Sequence, residues 1–388
     1  MGFVLESLYL FLVIACVVYF VVLVQNSKNG WQTIEIKDDD LPLVSIIVPT
    51  LEEEDNIERC LESLLKLDYP RMEIIVSDGG SQDRTVEIAK TFSVKMVVDS
   101  YLPKGWIGKS YGCQIAYKEA KGDILLFTDA DTYHSPQSLK TTVNHLLASE
   151  SELFSLFPYQ KAKRWYEYLL SFFYFLSFLG GGPINNINNP YAKDSVMASG
   201  QYMLFTRESY NKIGGHAAVR KSLVEDLALA RLCKDKEMRL NFKESTSLVS
   251  TRMYPNGFSS FFKGFRKSIY EGFWLLSKFR LMFIILWLIY MLVSPYFLIR
   301  YLLIPDNWLW WNYTIGIIVN VTLYLLYAII LYIYWRKKGS WNFIIFLFYP
   351  ITMLINLIII LVSFYYGFRG IKFSWKSRYY DTEKSSSK

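Results

Sequence analysis

The chain has 388 residues and a formal net charge of +7, and this length allows one large domain or two ordinary ones. Aromatic residues make up 17% of the chain and charged residues only 20%, because long uncharged runs stand at both ends and the charge concentrates between about residues 28 and 280. This distribution indicates a membrane protein with an internal soluble domain, and the lack of a nucleic-acid-binding motif or a Cys-x-x-Cys pair argues against nucleic acid and structural zinc.

The N-terminal region is predicted to be a membrane anchor. Ser7–Val24 is almost wholly apolar and uncharged, and a run of about twenty such residues can span a bilayer. A cleaved signal peptide would carry a basic region before the run and a small-residue cleavage pattern after it, whereas Glu6 precedes this run. We therefore expect an uncleaved anchor over residues 1–27, followed by a polar linker over 28–40.

The soluble region begins with strand-like and helical segments in alternation. Leu43–Val48, Glu73–Val76 and Ile124–Phe127 are short apolar runs bounded by turn signals, which is typical of buried strands. Glu54–Leu67 and Ser110–Lys121 lie between them and are predicted to be helices. The alternation predicts an α/β fold with a parallel, doubly wound sheet, in which ligands bind beyond the carboxyl ends of the strands.

Acidic loops follow these strands at equivalent ends. They are Pro49–Glu53, Asp78–Gly80 and Asp129–Asp131. In the segment DILLFTDADT, Asp129 and Asp131 are two positions apart, and side chains at such positions of an extended chain share one face. Two carboxylates on one face suit a divalent cation that also holds a diphosphate. A solvated turn would account for one Asp-x-Asp pair, but acidic loops along a single crevice edge favour a binding site.

The second half of the soluble region contains a strand, an aromatic stretch and an acidic helix start. Ala198–Phe205 is predicted to be a strand. The aromatic stretch Trp165–Leu179 fits either an interfacial helix lying on the bilayer or an ordinary buried core helix. The helix Val224–Lys234 opens with Glu225 and Asp226, where acidic residues also satisfy the ordinary chemistry of a helix N-terminus.

The C-terminal third combines a basic amphipathic stretch with apolar runs. Residues 258–280 are basic and aromatic, which suits a helix at the membrane surface, a bound diphosphate, or both. Leu281–Ile299, about 308–335 and about 341–364 are apolar runs, each long enough to span a bilayer. We expect two or three of them to be transmembrane helices, within residues 281–368.

The basic segments beside these runs leave the number of crossings open. The loop Arg336–Lys338 and the tail 369–388 are both basic, and basic segments favour the cytoplasmic side. Three full crossings would place the two segments on opposite sides of the membrane. Either one run is re-entrant or the tail departs from the positive-inside rule.

The ordered motifs PTLEEED, SDGGSQDRT, FTDADT and VEDLALA, found between about Pro42 and Gly272, resemble those of family 2 glycosyltransferases. The resemblance implies a GT-A fold, the Rossmann-like fold of nucleotide-diphospho-sugar transferases, over residues 41–257. Within the family, the segments LPKGWIGKSYG, SGQYMLF, GGHAAVR and RMYPNGF are similar to membrane enzymes that act on lipids. Among these are carotenoid-acid (diaponeurosporenoate) and hopanoid-associated glycosyltransferases.

The resemblance implies roles for the residues at matching motif positions. Pro49, Glu53 and Asp78 would line the nucleotide pocket, with Asp78 in contact with a uracil base. Asp129 would face the ribose and the sugar and, together with Asp131, would bind Mn²⁺ or Mg²⁺. The donor site would therefore lie along the acidic edge of the sheet.

The remaining roles concern catalysis and the acceptor. Asp226 would be the general base with Glu225 beside it, and Lys109 in the segment GWIGK would lie near the donor. Five further residues are predicted on the acceptor or diphosphate side: Gln201, His216, Tyr254, Arg266 and Lys267.

Some positions depart from the family pattern. The first motif usually carries Asn before its Glu, where this chain has Glu52, and the second usually reads Asp-Asp-Gly-Ser, where Gly79 replaces the second Asp. Processive members carry a Gln-x-x-Arg-Trp motif after the catalytic Asp, and the corresponding region here reads FFKGFRKSI. The resemblance therefore implies a non-processive enzyme.

The function that the resemblance implies is that of a non-processive, inverting, metal-dependent glycosyltransferase, multi-pass in the cell membrane with a cytoplasmic catalytic domain. Its donor would be a nucleotide sugar, with UDP-glucose as the first choice. Its acceptor would be a membrane lipid such as a carotenoid acid or a glycolipid precursor. The alternatives are a processive polysaccharide synthase and a catalytically silent sugar-nucleotide sensor or scaffold, the second of which would not need Asp131 or Asp226.

Overall fold

The computed structural model describes residues 30–380, except 35, 246, 275, 277, 304–312 and 377. The predicted anchor at Ser7–Val24 and the end of the tail beyond residue 380 lie outside the described residues. The described chain contains an α/β domain built on a seven-stranded sheet, followed by long apolar helices. The predicted α/β class is thereby confirmed.

The α/β domain contains two sheets. Its strands are β1 (Val44–Thr50), β2 (Met72–Asp78), β3 (Lys95–Val98), β4 (Ile124–Phe127), β5 (Thr132–His134), β6 (Leu153–Phe157), β7 (Tyr159–Gln160), β8 (Met203–Thr206), β9 (Leu240–Glu244) and β10 (Val249–Thr251). The large sheet has the order β3-β2-β1-β4-β8-β6-β9, and the small sheet has the order β5-β10-β7. Strands β3, β2, β1 and β4 are parallel, as the alternating sequence pattern predicted.

Strand β8 runs antiparallel to both of its neighbours, so the sheet is mixed and the prediction of a parallel sheet was wrong for this half. Met203 of β8 lies opposite Phe127 of β4, and β8 also pairs antiparallel with β6. Because β8 runs in the opposite direction, its first residue lies at the edge where β1 and β4 end. The segment Ser199–Gln201, just before β8, is thereby brought to the acidic crevice.

Helices cover both faces of the large sheet. They are α1 (Ile57–Leu65), α2 (Thr85–Ala89), α3 (Gly108–Glu119), α4 (Ser138–Ala148), α5 (Leu170–Gly181), α6 (Ile184–Asn188), α7 (Arg207–Ile213), α8 (Gly215–Ala218) and α9 (Glu225–Asp235). Ile46 of β1 packs into a core that contains Leu61 of α1, whereas Ile47 joins a core that contains Cys113 of α3 and Phe172 of α5. Successive residues of a strand face opposite sides of the sheet. Because each side of β1 packs into an apolar core, Ile46 and Ile47 are both apolar, and the strand is a continuous apolar run.

Helix α5 corresponds to the aromatic stretch whose environment the sequence left open. Phe172, Phe175 and Phe178 are buried, and the ring centroids of Phe175 and Trp287 lie 4.5 Å apart. The helix is enclosed between the large sheet and the C-terminal helices. Of the two environments that the sequence allowed, it has that of a buried core helix and not that of a helix lying on the bilayer. Its sequence is apolar on all sides, so periodicity alone could not distinguish lipid from protein as its surroundings.

The C-terminal part consists of helices and a β-hairpin. They are α10 (Phe258–Trp274), α11 (Lys278–Leu303), α12 (Tyr313–Trp335), α13 (Phe343–Leu347) and α14 (Tyr349–Phe368), followed by β11 (Phe373–Trp375) and β12 (Arg378–Tyr380). Among the described residues, Ile317–Trp335 and Tyr349–Phe368 are long and apolar enough to cross a membrane, by length and composition. In the most apolar stretch of each helix, only 22% and 28%, respectively, is buried within the protein. Much of the apolar surface of these two helices is therefore exposed.

Both basic segments of the C-terminal part contact the α/β domain. The ammonium of Lys338 lies 3.3 Å from Oε1 of Glu244 in β9, and the backbone N–H of Gln160 donates to the carbonyl of Lys338. Beyond α14, the ammonium of Lys376 lies 2.5 Å from Oε1 of Glu53, just after β1. The chain therefore returns to the same domain both before and after α14.

Candidate active site

The carboxyl ends of β1, β2 and β4 border a cavity of about 1080 Å³. Residues from each of the acidic loops that follow these strands line it. The facing wall comes from residues 196–201, from the start of α9 and from α10. The parallel direction of β1, β2 and β4 brings the loops together, and the reversed direction of β8 supplies the facing segment.

Lys109 forms the centre of a charged cluster in this cavity. Its ammonium lies 2.7 Å from Oδ1 of Asp129 and 2.8 Å from Oε1 of Glu225. Burial lowers the pKa of Lys109, but the charges of Asp129, Glu225 and Asp226 outweigh burial and raise it well above its ordinary value. Lys109 is therefore a permanent cation, and it joins the acidic end of β4 to the start of α9.

Asp226 lies at the start of α9 with both carboxylate oxygens held by backbone N–H groups. Oδ2 accepts a hydrogen bond from Gly200 at 2.9 Å, and Oδ1 accepts one from Leu227 at 2.8 Å. Burial, followed by the charge of Glu225, raises the pKa of Asp226 to about 6. Asp226 is therefore a stronger base than an exposed aspartate and is still mostly ionised at neutral pH.

Glu225, its neighbour, is shifted in the opposite direction. Burial raises the pKa of Glu225, but Lys109 and then Lys267 outweigh burial and hold it below its ordinary value. Adjacent carboxyl groups whose pKa values are pushed apart are suited to different tasks. Glu225 remains an anion that fixes Lys109, whereas Asp226 can exchange a proton near neutral pH.

Gly200 approaches this cluster so closely that a side chain would not fit. A Cβ atom at position 200 would lie 2.8 Å from Nζ of Lys109 and 3.2 Å from Oε1 of Glu225. A side chain at position 200 would therefore require Lys109 to shift, which would disturb its ion pairs with Asp129 and Glu225.

Asp131 has the properties of a ligand suited to a cation. Its Oδ1 is buried and makes no hydrogen bond within the described residues. Burial, followed by the charges of Asp129 and Glu53, raises the pKa of Asp131 to about 7. In the part of the chain that the structure describes, no group of three His, Cys, Asp or Glu side chains is placed to hold a metal ion. An ion bound by Asp131 and Asp129 would need its other ligands from a bound molecule such as a diphosphate.

The side of the cavity next to β1 and β2 contains the residues predicted for a nucleotide. Pro49 and Glu53 line it, and Glu53 Oε2 accepts a hydrogen bond from the Asn56 amide at 2.9 Å. Asp78 is fully buried beneath this wall, where its carboxylate accepts hydrogen bonds from the N–H groups of Gly80 and Ser81 at 2.9 and 2.8 Å. The predicted direct contact of Asp78 with a base is therefore not supported, because its oxygens shape the turn instead.

The residues predicted on the acceptor or diphosphate side separate into two groups. Gln201, Tyr254 and Lys267 line the cavity. The amide of Gln201 donates to Oγ1 of Thr251 at 3.2 Å, which orients it. Burial lowers the pKa of Lys267, although the carboxylates of the cluster oppose this effect. These three residues are placed to contact a ligand.

His216 and Arg266 are not among the described residues that line the cavity. His216 is buried with Nδ1 2.7 Å from the hydroxyl of Tyr210, and burial lowers its pKa to about 3. The guanidinium of Arg266 lies 3.9 Å from the ring centroid of Tyr366, at the contact between α10 and α14. Each side chain packs between elements of the protein, and a role for either residue in ligand binding stays a prediction.

Several lining residues were not predicted from the sequence. Asp99 lies at the cavity and accepts a hydrogen bond from the hydroxyl of Tyr111 at 2.8 Å. Lys376 and Arg378 of the C-terminal hairpin also line the cavity. The basic character of the tail is visible in the sequence, but no local pattern there indicates that it contacts the cavity.

The far end of the cavity is apolar. Helices α5, α10, α11 and α14 contribute Phe173, Phe265, Ile284, Leu288 and Phe364 to its wall. The cavity is continuous, so it connects the charged cluster of Lys109 with the long apolar helices. Periodicity could place these side chains on apolar helix faces, but it could not say which faces meet.

A family model described as Glycosyl transferase family 2 matches residues 45–214. The chain is 28% identical over 250 residues to 4,4'-diaponeurosporenoate glycosyltransferase from Staphylococcus haemolyticus (strain JCSC1435), which is 63% of this chain and 66% of the relative. It is 29% identical over 233 residues to the protein of the same name from Staphylococcus aureus (strain USA300), covering 59% of this chain and 61% of the relative. The matches thus span less than two thirds of these relatives.

A solved structure is similar over nearly the whole chain. It is a mannosyltransferase from Pyrobaculum calidifontis in complex with GDP-Man and Mn²⁺, with a TM-score of 0.52 and 16% sequence identity. The similarity covers 91% of this chain and 99% of that one. At this level of identity the likeness shows a shared fold.

Proposed function

We propose, from the premise that this chain belongs to glycosyl transferase family 2, that it transfers a sugar from a nucleotide sugar to a lipid acceptor. The observation that carries the proposal is the continuous cavity, which joins a charged cluster at the strand ends to an apolar wall of four helices. A soluble acceptor would not need the second half of this cavity. A lipid can reach it from the bilayer side while its polar end lies beside Asp226.

The donor is a nucleotide sugar, and UDP-glucose is the first choice. A divalent cation bound by Asp131 and Asp129, Mn²⁺ or Mg²⁺, would neutralise the diphosphate as it leaves. The mannosyltransferase of similar fold is a complex with GDP-Man and Mn²⁺, which supports a metal and a nucleotide sugar without choosing the base. Lys109 and Lys267 add fixed positive charge at the same end of the cavity.

The reaction that we propose inverts the configuration of the anomeric carbon. An acceptor oxygen attacks this carbon from the face opposite the diphosphate, the bond to the diphosphate oxygen breaks, and Asp226 takes the acceptor proton. The N–H groups of Gly200 and Leu227 hold the carboxylate of Asp226 in place for this transfer. If the acceptor is itself a carboxylate, it attacks as the anion, no proton is transferred, and Asp226 is not needed as a base.

A carotenoid acid is the acceptor that the curated relatives suggest. Their name, 4,4'-diaponeurosporenoate glycosyltransferase, describes a long apolar chain that ends in a carboxylate. The apolar wall with Phe173, Ile284 and Phe364 suits such a chain, and it also suits other long-chain lipids. The cavity therefore supports the class of acceptor, and product analysis must name the molecule.

Labelled UDP-glucose supplied with Mn²⁺ to the purified protein in detergent, with a membrane-lipid extract, tests the proposal. We expect label in a discrete product that partitions into the organic phase, and its mass identifies the acceptor. A ladder of long products would instead indicate a processive synthase. Neither transfer nor nucleotide release, across several nucleotide sugars, would favour a sensor or scaffold.

We propose further that α11 and α12 cross the membrane as a pair and that α14 lies along the membrane-facing side of the catalytic domain. At about 1.5 Å per residue, α11 and α12 are roughly 39 and 35 Å long, enough for a hydrocarbon core of about 30 Å. Helix α14 packs along α10, with the ring centroids of Phe364 and Phe273 4.6 Å apart. Since the chain contacts the α/β domain before and after α14, both basic segments would lie on one side, in agreement with the positive-inside rule.

Side-specific labelling tests this topology. In a variant without native cysteines, Lys337→Cys and Arg369→Cys replace exposed residues before and after α14. We expect a membrane-impermeant maleimide to label both from the same face of oriented vesicles. Labelling from opposite faces would mean that α14 crosses the bilayer.

A further inference from the structure

The C-terminal hairpin folds back onto the loops at the ends of β1 and β2. Its strands β11 and β12 are antiparallel, with Trp375 opposite Arg378. Phe373 at its base is fully buried and stacks on Tyr366 of α14, with ring centroids 6.0 Å apart. The hairpin is thus fixed to the last apolar helix, and the direction in which it points is set by that packing.

Lys376, in the turn of the hairpin, binds the loop of the first motif. Besides its ion pair with Glu53, its ammonium donates to the carbonyl of Glu52 at 3.2 Å and to the carbonyl of Leu51. Both Lys376 and Glu52 have positive φ, at 52° and 54°, which non-glycine residues rarely adopt. Such a conformation on both sides of one contact indicates that the surrounding structure holds the hairpin and the loop together.

Arg378 occupies the space that a side chain at position 79 would need. One of its Nη2 donors binds the carbonyl of Gly79, and a Cβ atom at position 79 would lie 3.1 Å from Nη2. Gly79 and Arg378 both line the cavity, so the guanidinium of Arg378 lies at the cavity wall beside Gly79.

We propose that Arg378 binds the nucleoside diphosphate part of the donor, and that Lys376 and Arg378 of the hairpin form a wall of the donor pocket. Arg378 and Lys376 both line the cavity beside Glu53 and Gly79. Within the described residues, Arg378 makes one hydrogen bond to protein, and its planar guanidinium has further N–H donors. A guanidinium is suited to anionic and carbonyl oxygens, both of which a nucleotide presents.

The two cations of the hairpin have different tasks in this proposal. Lys376 is a positioning residue, because its partners are the protein groups of the 51–53 loop. Arg378 is a binding residue that contacts the ligand. The inference rests on the proposed function, since it assigns a residue to the donor of that reaction. Because the hairpin extends from α14, this proposal also makes the shape of the donor pocket depend on how α14 packs against the rest of the protein.

Calorimetric titration of the full-length protein with UDP and Mn²⁺ in detergent tests the assignment. We expect Arg378→Ala to weaken UDP binding roughly ten- to a hundredfold, the range for a lost hydrogen bond to a charged group. Arg378→Lys should lie between Arg378→Ala and wild type, because it keeps the charge and loses the planar donors. In transfer assays, Arg378→Ala should raise KM for the donor and leave kcat close to wild type.

Arg369→Ala is the matched control, because it removes the same charge from an exposed position of the same tail that does not line the cavity. We expect wild-type UDP affinity from it, and wild-type melting temperatures from both alanine variants. Unchanged UDP affinity in Arg378→Ala would overturn the assignment. Tighter binding of UDP by Arg378→Ala would overturn the assignment as well, because the hairpin would then occupy the donor site and compete with the donor. Failure of the wild type to bind any nucleotide would refute the proposed function itself, and this assignment with it.

Discussion

With a hydroxyl acceptor, replacing Asp226 by Asn is expected to lower the rate of sugar transfer by roughly 10²–10⁴-fold, the usual contribution of a general base; with a carboxylate acceptor this contribution is absent. The amide of Asn cannot take the acceptor proton, and it can still accept one of the two backbone hydrogen bonds that hold the native carboxylate. UDP binding should stay close to wild type, because Asp226 acts on the acceptor. Transfer of label from UDP-glucose to lipid, together with UDP titration, separates these effects.

Asp235→Asn serves as the control for this variant. Asp235 is the last residue of α9, whose first turn contains Asp226, and it is exposed, so the substitution makes the same chemical change away from the cavity. We expect wild-type transfer from it. Retention of more than about a tenth of the wild-type rate by Asp226→Asn would exclude the role of a base.

The pH dependence of transfer is a second test of the role of Asp226 as a general base. With a pKa of about 6, Asp226 is ionised above that pH and protonated below it. For a hydroxyl acceptor, kcat/KM should therefore be high at neutral pH and fall about tenfold per pH unit below about 6. For a carboxylate acceptor, no proton is taken up, and the profile should lack the step that Asp226 would cause. The profile thus distinguishes a sugar ester from a glycoside as product.

Replacing Asp131 by Asn is expected to abolish the rise in melting temperature that Mn²⁺ and UDP together give the wild type. The substitution replaces one oxygen of a carboxylate that has a buried, unpartnered oxygen among the described residues by an amide NH₂ group, and it removes the negative charge of one of the two carboxylates available to the ion. Transfer should fall about a hundredfold or more, because a metal ion contributes several kcal/mol to stabilising the leaving diphosphate. Thermal unfolding with and without Mn²⁺ and UDP measures the effect.

Without metal, the same variant should be at least as stable as the wild type. Asp131 lies near the charges of Asp129 and Glu53, which disfavour its ionised form, so a neutral side chain removes a repulsion. Asp123→Asn, an exposed change just before the same strand β4, should keep the full response to Mn²⁺ and UDP. A normal metal response in Asp131→Asn would show that this carboxylate does not hold the ion.

Much of the site could be predicted because its parts follow local rules. Parallel strands end at a common edge, so the loops after β1, β2 and β4 had to share a crevice once the α/β pattern was recognised. Lys109, Asp129, Glu225 and Asp226 were named from motifs. The structure adds the contacts between them, in which Lys109 lies between Asp129 and Glu225.

For other residues, the neighbours and not the segment itself decide where the side chain lies. His216 follows a glycine pair in a motif-like segment, yet it packs against Tyr210 beneath the sheet. Arg266 and Lys267 are adjacent in a basic helix, but Lys267 faces the cavity and Arg266 packs on α14. Adjacent helix residues point about 100° apart, and the sequence does not say which direction faces the ligand.

The sequence by itself determined the α/β class, the acidic edge of the sheet, and the apolar character of the C-terminal helices. Each of these depends on the spacing of residues within one segment, which local periodicity records. The reversal of β8, the burial of α5 and the return of the hairpin to the donor edge were decided only by the tertiary structure. The contact of Lys376 with Glu53 joins residues 323 positions apart. Whether such a pair meets depends on how α10, α11 and α14 pack between them, and no local pattern encodes that packing.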